Sequence, residues 1–240
     1  MQRMKLGELE AVVAGGLDGS GGGSGPTLVL LHGYGAPGDD LVPLFRVLDV
    51  PKNVRFVFPA GPTALDPRFP GQANAWWPLD MEELLEIAAT GDVARLQNMD
   101  PKGMTEARVL VEGLLDALAV ELAVNPETTV IGGFSQGGML ATELVLGTER
   151  PFAGLAILSA TLVRKKHWTE RAASRSGLPV LQSHGRADPV VPYENAEALR
   201  DLLIAAGLDV EWIAFGSGHG IPDSVVSGLA ELIRTATNAG

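Results

Sequence analysis

The strongest constraint on this chain is a rhythm of short apolar runs, each separated from the next by a stretch of other periodicity. Six runs stand out: 27–32 (TLVLLH), 54–59 (VRFVFP), 128–132 (TTVIG), 152–159 (FAGLAILS), 179–183 (PVLQS) and 210–215 (VEWIAF). Most are apolar on both faces, the composition of strands in a parallel sheet covered by helices on each side. Between them, residues 105–122 place Leu110, Leu114, Leu118 and Leu122 four apart, and Asn125-Pro126 ends the segment. Residues 195–206 form a second helical segment stopped by Gly207, and a last helix is expected over 223–237. Such alternation predicts an α/β fold with a mostly parallel, doubly wound sheet and helices on both faces. Right-handed crossovers then bring the carboxyl ends of the strands to one edge, where catalytic residues belong.

Two stretches break the rhythm. A weaker β-rich run at 8–13 precedes the Gly/Ser-rich residues 15–25, which read as an antiparallel strand followed by a flexible turn. Too few residues precede it for a separate domain, so the expectation is one domain over 1–240. Residues 61–103 are rich in Pro, Gly, Trp and acids, with a short helical piece near 81–89. A connection this long inside one domain is expected to be a lid or a binding wall.

Composition narrows the chemistry. The 240 residues include no cysteine, which excludes disulfides, thiolate nucleophiles and Cys-ligated metals. Eighteen basic and 29 acidic residues give a formal charge of −11, which argues against nucleic acid or an anionic membrane as a stable partner. Residues 1–10 (MQRMKLGELE) show no apolar core of a signal peptide, and no run approaches membrane-spanning length. A cytoplasmic protein is the expectation.

One motif carries most of the functional content. Gly133-Phe134-Ser135-Gln136-Gly137 matches G-x-S-x-G, with an apolar β run before it and a helical run (GMLATEL) after it. That is the strand–turn–helix setting of a nucleophile elbow. Ser135 is expected at its strained apex, with glycines where side chains would collide. The helix after it aims its first N–H groups at the reacting carbonyl.

A serine hydroxyl needs an imidazole to take its proton and a carboxylate to orient that imidazole. In this type of site the chain order is Ser, acid, His. Of four histidines, His32 precedes the serine, His167 lies in a basic segment (KKHW), and His184 ends a strand too early to follow an acid there. His219, in a glycine-rich loop after the last strand, remains. Asp188 follows the penultimate strand in GRADPVVP, where Pro189 stiffens its loop; Asp209 opens a strand and Asp223 caps the final helix. The acyl-transfer oxyanion needs two N–H donors. The amides of Tyr34, in LLHGYG, and of Gln136 are the candidates. Trp76 and Trp77 are candidates for an apolar substrate wall, with core packing as the equal alternative.

With these residues assembled, the chain resembles the phospholipase/carboxylesterase family of α/β-hydrolases, which includes the acyl-protein thioesterases. The resemblance lies in Leu31-His32-Gly33-Tyr34-Gly35, in Gly133-Phe134-Ser135-Gln136-Gly137-Gly138, in Gly185-Arg186-Ala187-Asp188-Pro189-Val190-Val191-Pro192 and in Gly218-His219. It implies an α/β-hydrolase fold, a Ser135–Asp188–His219 triad, and neither metal nor organic cofactor. Family members often carry an aliphatic residue where Tyr34 stands, and the 61–103 region looks individual. The expected function is hydrolysis of small-molecule carboxylic esters of short to medium acyl chain, through an acyl-enzyme on Ser135. An acyl thioesterase or lysophospholipase is the alternative within catalysis. A ligand-binding protein on a hydrolase scaffold is the alternative outside it.

Overall fold

A computed structural model describes residues 1–69 and 71–238. Its strands are β1 (Gln2–Leu6), β2 (Leu9–Gly15), β3 (Thr27–Leu31), β4 (Arg55–Pro59), β5 (Thr63–Ala64), β6 (Asn74–Ala75), β7 (Thr129–Phe134), β8 (Gly154–Leu158), β9 (Pro179–Gly185) and β10 (Asp209–Phe215). Its helices are α1 (Leu44–Val47), α2 (Met81–Thr90), α3 (Val93–Asn98), α4 (Met104–Glu121), α5 (Gln136–Gly147), α6 (Lys165–Ala172), α7 (Tyr193–Ala205) and α8 (Asp223–Asn238), with two short 3-10 turns besides. Eight strands form one sheet in the order β1-β2-β4-β3-β7-β8-β9-β10. All pairings from β4 to β10 are parallel, and β1–β2 and β2–β4 are antiparallel.

The mostly parallel sheet expected from the apolar runs is therefore present, and its two-sided burial is literal. In β3, Val29 and Leu31 face one core while Leu28 and Leu30 face the other; in β8, Leu155 and Ile157 oppose Ala156 and Leu158. The larger core is closed by α4 through α7, with Leu114, Leu118, Leu144, Trp168 and Leu199 fully buried. The second is closed by α8, through Val225, Leu229 and Ile233, and by the residues around α1. Burying such aliphatic side chains from both faces stabilises by about 1.5–3 kcal/mol each, which explains why the strands need no polar alternation. Among the described residues, no helix is long and apolar enough to cross a membrane.

Two expectations are corrected here. The hairpin β1–β2 adds a strand that the sequence reading lacked, because QRMKL alternates polar and apolar residues over too short a stretch to register. The Gly/Ser-rich segment after β2 is a built loop rather than a flexible turn. The Asp18 carboxylate accepts from the N–H groups of Ser20 (2.8 Å) and Gly22 (2.9 Å), and Gly16 N–H donates to Val54 O at 2.8 Å.

The 61–103 excursion contains the small hairpin β5–β6, then α2 and α3. Helix α2 covers the helical piece expected near 81–89; Asp80 caps it by accepting from Glu83 N–H at 3.0 Å, and Gly91 ends it in a left-handed conformation. The far end of the excursion is pinned to the helix behind the expected nucleophile. Glu143 of α5, almost fully buried, accepts from Arg164 Nη1 (2.9 Å) and Trp168 Nε1 (2.8 Å), and Arg164 Nε reaches Asp100 at 2.9 Å. A buried carboxylate persists only when paired and hydrogen-bonded in this way.

Candidate active site

The carboxyl ends of β3, β7, β8, β9 and β10 converge on Ser135. This serine sits between β7 and α5 at φ 54°, ψ −117°, a conformation that costs a non-glycine residue of order 1–3 kcal/mol. The surrounding backbone enforces it. Ser135 N–H donates to Leu158 O at 2.8 Å, and its carbonyl accepts from Gly138 N–H at 3.0 Å. A methyl group on Gly137 would collide with the Leu31 carbonyl, and one on Gly133 would collide with the backbone of Gly137. Only glycine lets β7, α5 and the end of β3 approach this closely.

Asp188 and His219 meet as the chain order predicts. His219 Nδ1 lies 2.7 Å from Asp188 Oδ2, and Asp188 Oδ1 accepts from the N–H groups of Val190 (2.8 Å) and Val191 (3.0 Å). The Asp188 carboxylate side chain is fully buried and the His219 imidazole 17% exposed. With Nδ1–H given to the carboxylate, Nε2 is the free base position. Phe134, next to the serine, packs its ring 4.7 Å from the His219 ring. Among the described residues no hydrogen bond joins Ser135 Oγ to His219; such contacts commonly tighten only around substrate.

The loop bearing His219 is seated from two sides. Gly185 lies against the carbonyls of Ser217 and Gly218 so closely that a side chain there would clash. Ser159, at φ 49° just beyond β8, donates its Oγ–H to Gly220 O at 3.1 Å and its N–H to Ser183 O at 2.9 Å. Sequence reading missed Ser159, since nothing in ILSA signals a positive φ on a serine.

Two other histidines are buried. His184 donates Nε2–H to Val191 O (3.1 Å), with Asp188 Oδ2 3.4 Å away, and burial pushes its pKa down. His32 donates Nδ1–H to Gly33 O (2.7 Å) and accepts at Nε2 from Gly61 N–H (2.8 Å); burial pushes its pKa down too. His167 lies on α6 with Nε2 3.6 Å from the buried Glu143.

The N–H groups of Tyr34 and Gln136 have no hydrogen-bond partner among the described residues, and neither do those of Gly33 and Gly137 beside them, whereas Gly35 and Ser135 N–H are both bonded. Tyr34 and Gln136 stand at the ends of strands that flank each other, β3 and β7. Free N–H groups at such a place are what an oxyanion requires.

Trp76 and Trp77 require a correction. They are 2% and 1% exposed and belong to the larger core, so neither indole presents an apolar wall to substrate. Trp76 packs against His32 (ring centroids 5.2 Å) and donates Nε1–H to His32 O at 2.9 Å. Both aromatic readings were open in the sequence because an indole is apolar enough for either place. Among the described residues, the large apolar side chains that the excursion exposes are Leu65 and Phe69, with Leu65 3.9 Å from where a side chain on Gly35 would begin.

Comparison with known proteins agrees with this architecture. A probable carboxylesterase of Oryza sativa subsp. japonica is 30% identical over 226 residues, covering 91% of each chain. An acyl-protein thioesterase 1 of Mycosarcoma maydis is 34% identical over 184 residues, covering 74% of this chain and 75% of its own. Among solved structures, that of esterase PE8 superposes with a TM-score of 0.78 at 29% identity, covering 95% of this chain and 99% of that one. The phospholipase/carboxylesterase family model matches residues 22–237. The chain belongs to the phospholipase/carboxylesterase family of α/β-hydrolases.

Proposed function

We propose that the chain is a serine carboxylesterase that hydrolyses small-molecule carboxylic esters, of short to medium acyl chain, through an acyl-enzyme on Ser135. The observation that carries this reading is the buried Asp188 carboxylate holding His219 Nδ1 at 2.7 Å beside the strained elbow of Ser135. In the first step Ser135 Oγ attacks the ester carbonyl as His219 Nε2 takes its proton. Asp188 steadies the imidazolium, and the amides of Tyr34 and Gln136 hold the oxyanion. Each such donor is worth roughly 3–4 kcal/mol of transition-state stabilisation. The imidazolium then protonates the departing alkoxide. Water, deprotonated by His219, attacks the acyl-enzyme and returns the serine and the acid. Relatives bearing the names carboxylesterase and esterase support the ester as substrate.

The whole chain acts in this reading as one domain, with residues 61–103 walling the site. A thioester is the second substrate class, favoured by the relative named acyl-protein thioesterase 1. A panel of p-nitrophenyl esters of increasing acyl length, set beside an acyl thioester and a lysophospholipid, ranks the three. Covalent labelling of Ser135 by a fluorophosphonate, abolished in Ser135→Ala, is the expected result. A wild-type protein that neither labels nor hydrolyses any of these would be a binding protein on a hydrolase scaffold.

A further inference from the structure

The excursion is expected to matter as a wall, yet its buried hydrogen bonds point inward, toward the backbone around Tyr34 and Gln136. The Gln136 side chain is 1% exposed and grips this stretch with both ends of its amide. Its Oε1 accepts from Trp76 N–H at 2.9 Å, and its Nε2–H donates to Trp77 O at 2.9 Å. The pair of bonds reproduces what a neighbouring strand would give, from a residue 60 positions away in sequence.

The same stretch grips the Tyr34 loop. Gly35 N–H donates to Asn74 O at 2.8 Å, Asn74 N–H donates to Ala36 O at 2.9 Å, and Trp76 Nε1–H donates to His32 O at 2.9 Å. Residues 74–77 are thus hydrogen-bonded to the residues on both sides of Tyr34 and, through one side chain, to the residue that carries the second donor.

We infer that Gln136 is a positioning residue for ester hydrolysis: its side-chain amide, clamped on the backbone of Trp76 and Trp77, fixes the separation of the Tyr34 and Gln136 N–H groups at the oxyanion. The assignment rests on the acyl-transfer reading above. Neither end of the clamp is exchangeable for water, since both lie in the closed core. A displacement of about 1 Å at such a donor costs on the order of a hundredfold in rate, because the donor must meet the oxyanion and not the ground-state carbonyl.

The test compares wild type, Gln136→Met and Trp76→Phe with p-nitrophenyl butyrate as substrate and a boronic acid as tetrahedral mimic. Methionine keeps the length of the side chain and removes both bonds. Its kcat is expected to fall about 10- to 100-fold with KM within about threefold, and boronic acid affinity to fall in parallel. Trp76→Phe removes the bond to His32 O and trims the packing on the His32 ring while leaving both Gln136 bonds, and its kcat is expected to fall less, about 3- to 10-fold. A variant that is merely less stable would melt earlier but keep kcat and boronate affinity when assayed well below its midpoint.

Gln136→Met folded and turning over within twofold of wild type overturns the assignment, as does a loss carried by KM alone. Should Gln136→Met not fold, Gln136→Glu, which keeps an acceptor for Trp76 N–H and loses the donor to Trp77 O, takes its place, and unchanged kcat in it overturns the assignment. Fluorophosphonate labelling of wild type separates the two levels. Labelling at Ser135 together with an indifferent Gln136→Met removes the clamp only. Wild type that does not label removes the hydrolase reading, and the clamp's role falls with it.

Discussion

The elbow around Ser135 and the short segment 74–77 touch, but they hold their shapes by different means. The elbow is steric. Its serine keeps a strained φ because bare glycine backbones on either side leave no other arrangement. The segment 74–77 is polar and reciprocal, held by His32 O, by Ala36 O and by the two ends of the Gln136 amide. Steric shape is robust to solvent and pH but intolerant of one added methyl. A hydrogen-bonded frame tolerates volume changes better and fails when one partner is removed, because the other is left buried and unpaired.

Four variants or conditions sharpen that contrast. The largest effect belongs to Ser135→Ala, which is expected to lower ester turnover by at least about ten-thousandfold while leaving the melting transition in place. Steady-state assays and thermal unfolding on the same sample check both halves, and near-normal turnover would remove Ser135 from the mechanism. Next comes Gly137→Ala, whose methyl meets the Leu31 carbonyl. It is expected to destabilise by about 1–3 kcal/mol in urea unfolding and to lower kcat, since the serine moves with the backbone. An elbow that accepts this methyl silently is not a steric device.

The polar frame should instead respond to acid. Burial pushes the pKa of His32 and His184 below its ordinary value in the folded chain, whereas the unfolded chain protonates them near 6.5. Below that value the unfolded state binds more protons, so stability falls as pH drops, by up to about 1.4 kcal/mol per pH unit for each histidine. Urea midpoints measured from about pH 7 down to 5 test this in Asp40→Asn, because burial raises the Asp40 carboxyl to about 6 and gives it the opposite sign in the same window; a flat profile in that variant would overturn the histidine contribution. The smallest effect is expected for Asp18→Ala, far from the site. It breaks the loop bonds to Ser20 and Gly22, and is expected to lower the melting midpoint by no more than about 2 °C with turnover unchanged.

The same contrast explains what the sequence makes legible. Glycines 133 and 137 are visible because steric demands select a residue type, and Asp188 and His219 because chain order and strand ends leave few places for them. The parallel strands are visible because two buried faces demand continuous apolar runs, and the boundaries differ from the observed ones by no more than two residues at the frayed ends. Trp76 and Trp77 were ambiguous because burial and substrate contact select the same side chain. The Gln136 clamp left no trace, since a buried amide reads like any polar residue until its partners, about 60 positions away, are in place. The loop at 15–25 was misjudged for a related reason: composition reveals the freedom of glycine but not the Asp18 carboxylate that removes it.

The position of residues 74–77 divides the excursion into two spans joined at a post. Before it, the β5–β6 hairpin carries Leu65 and Phe69 to the surface; after it, α2 and α3 run to the anchor at Asp100. A redesign of substrate preference therefore has natural cut points. Residues 64–73 or 80–98 are replaceable as cassettes, while residues 74–79 between them stay as the fixed jig that holds the backbone around Tyr34 and Gln136.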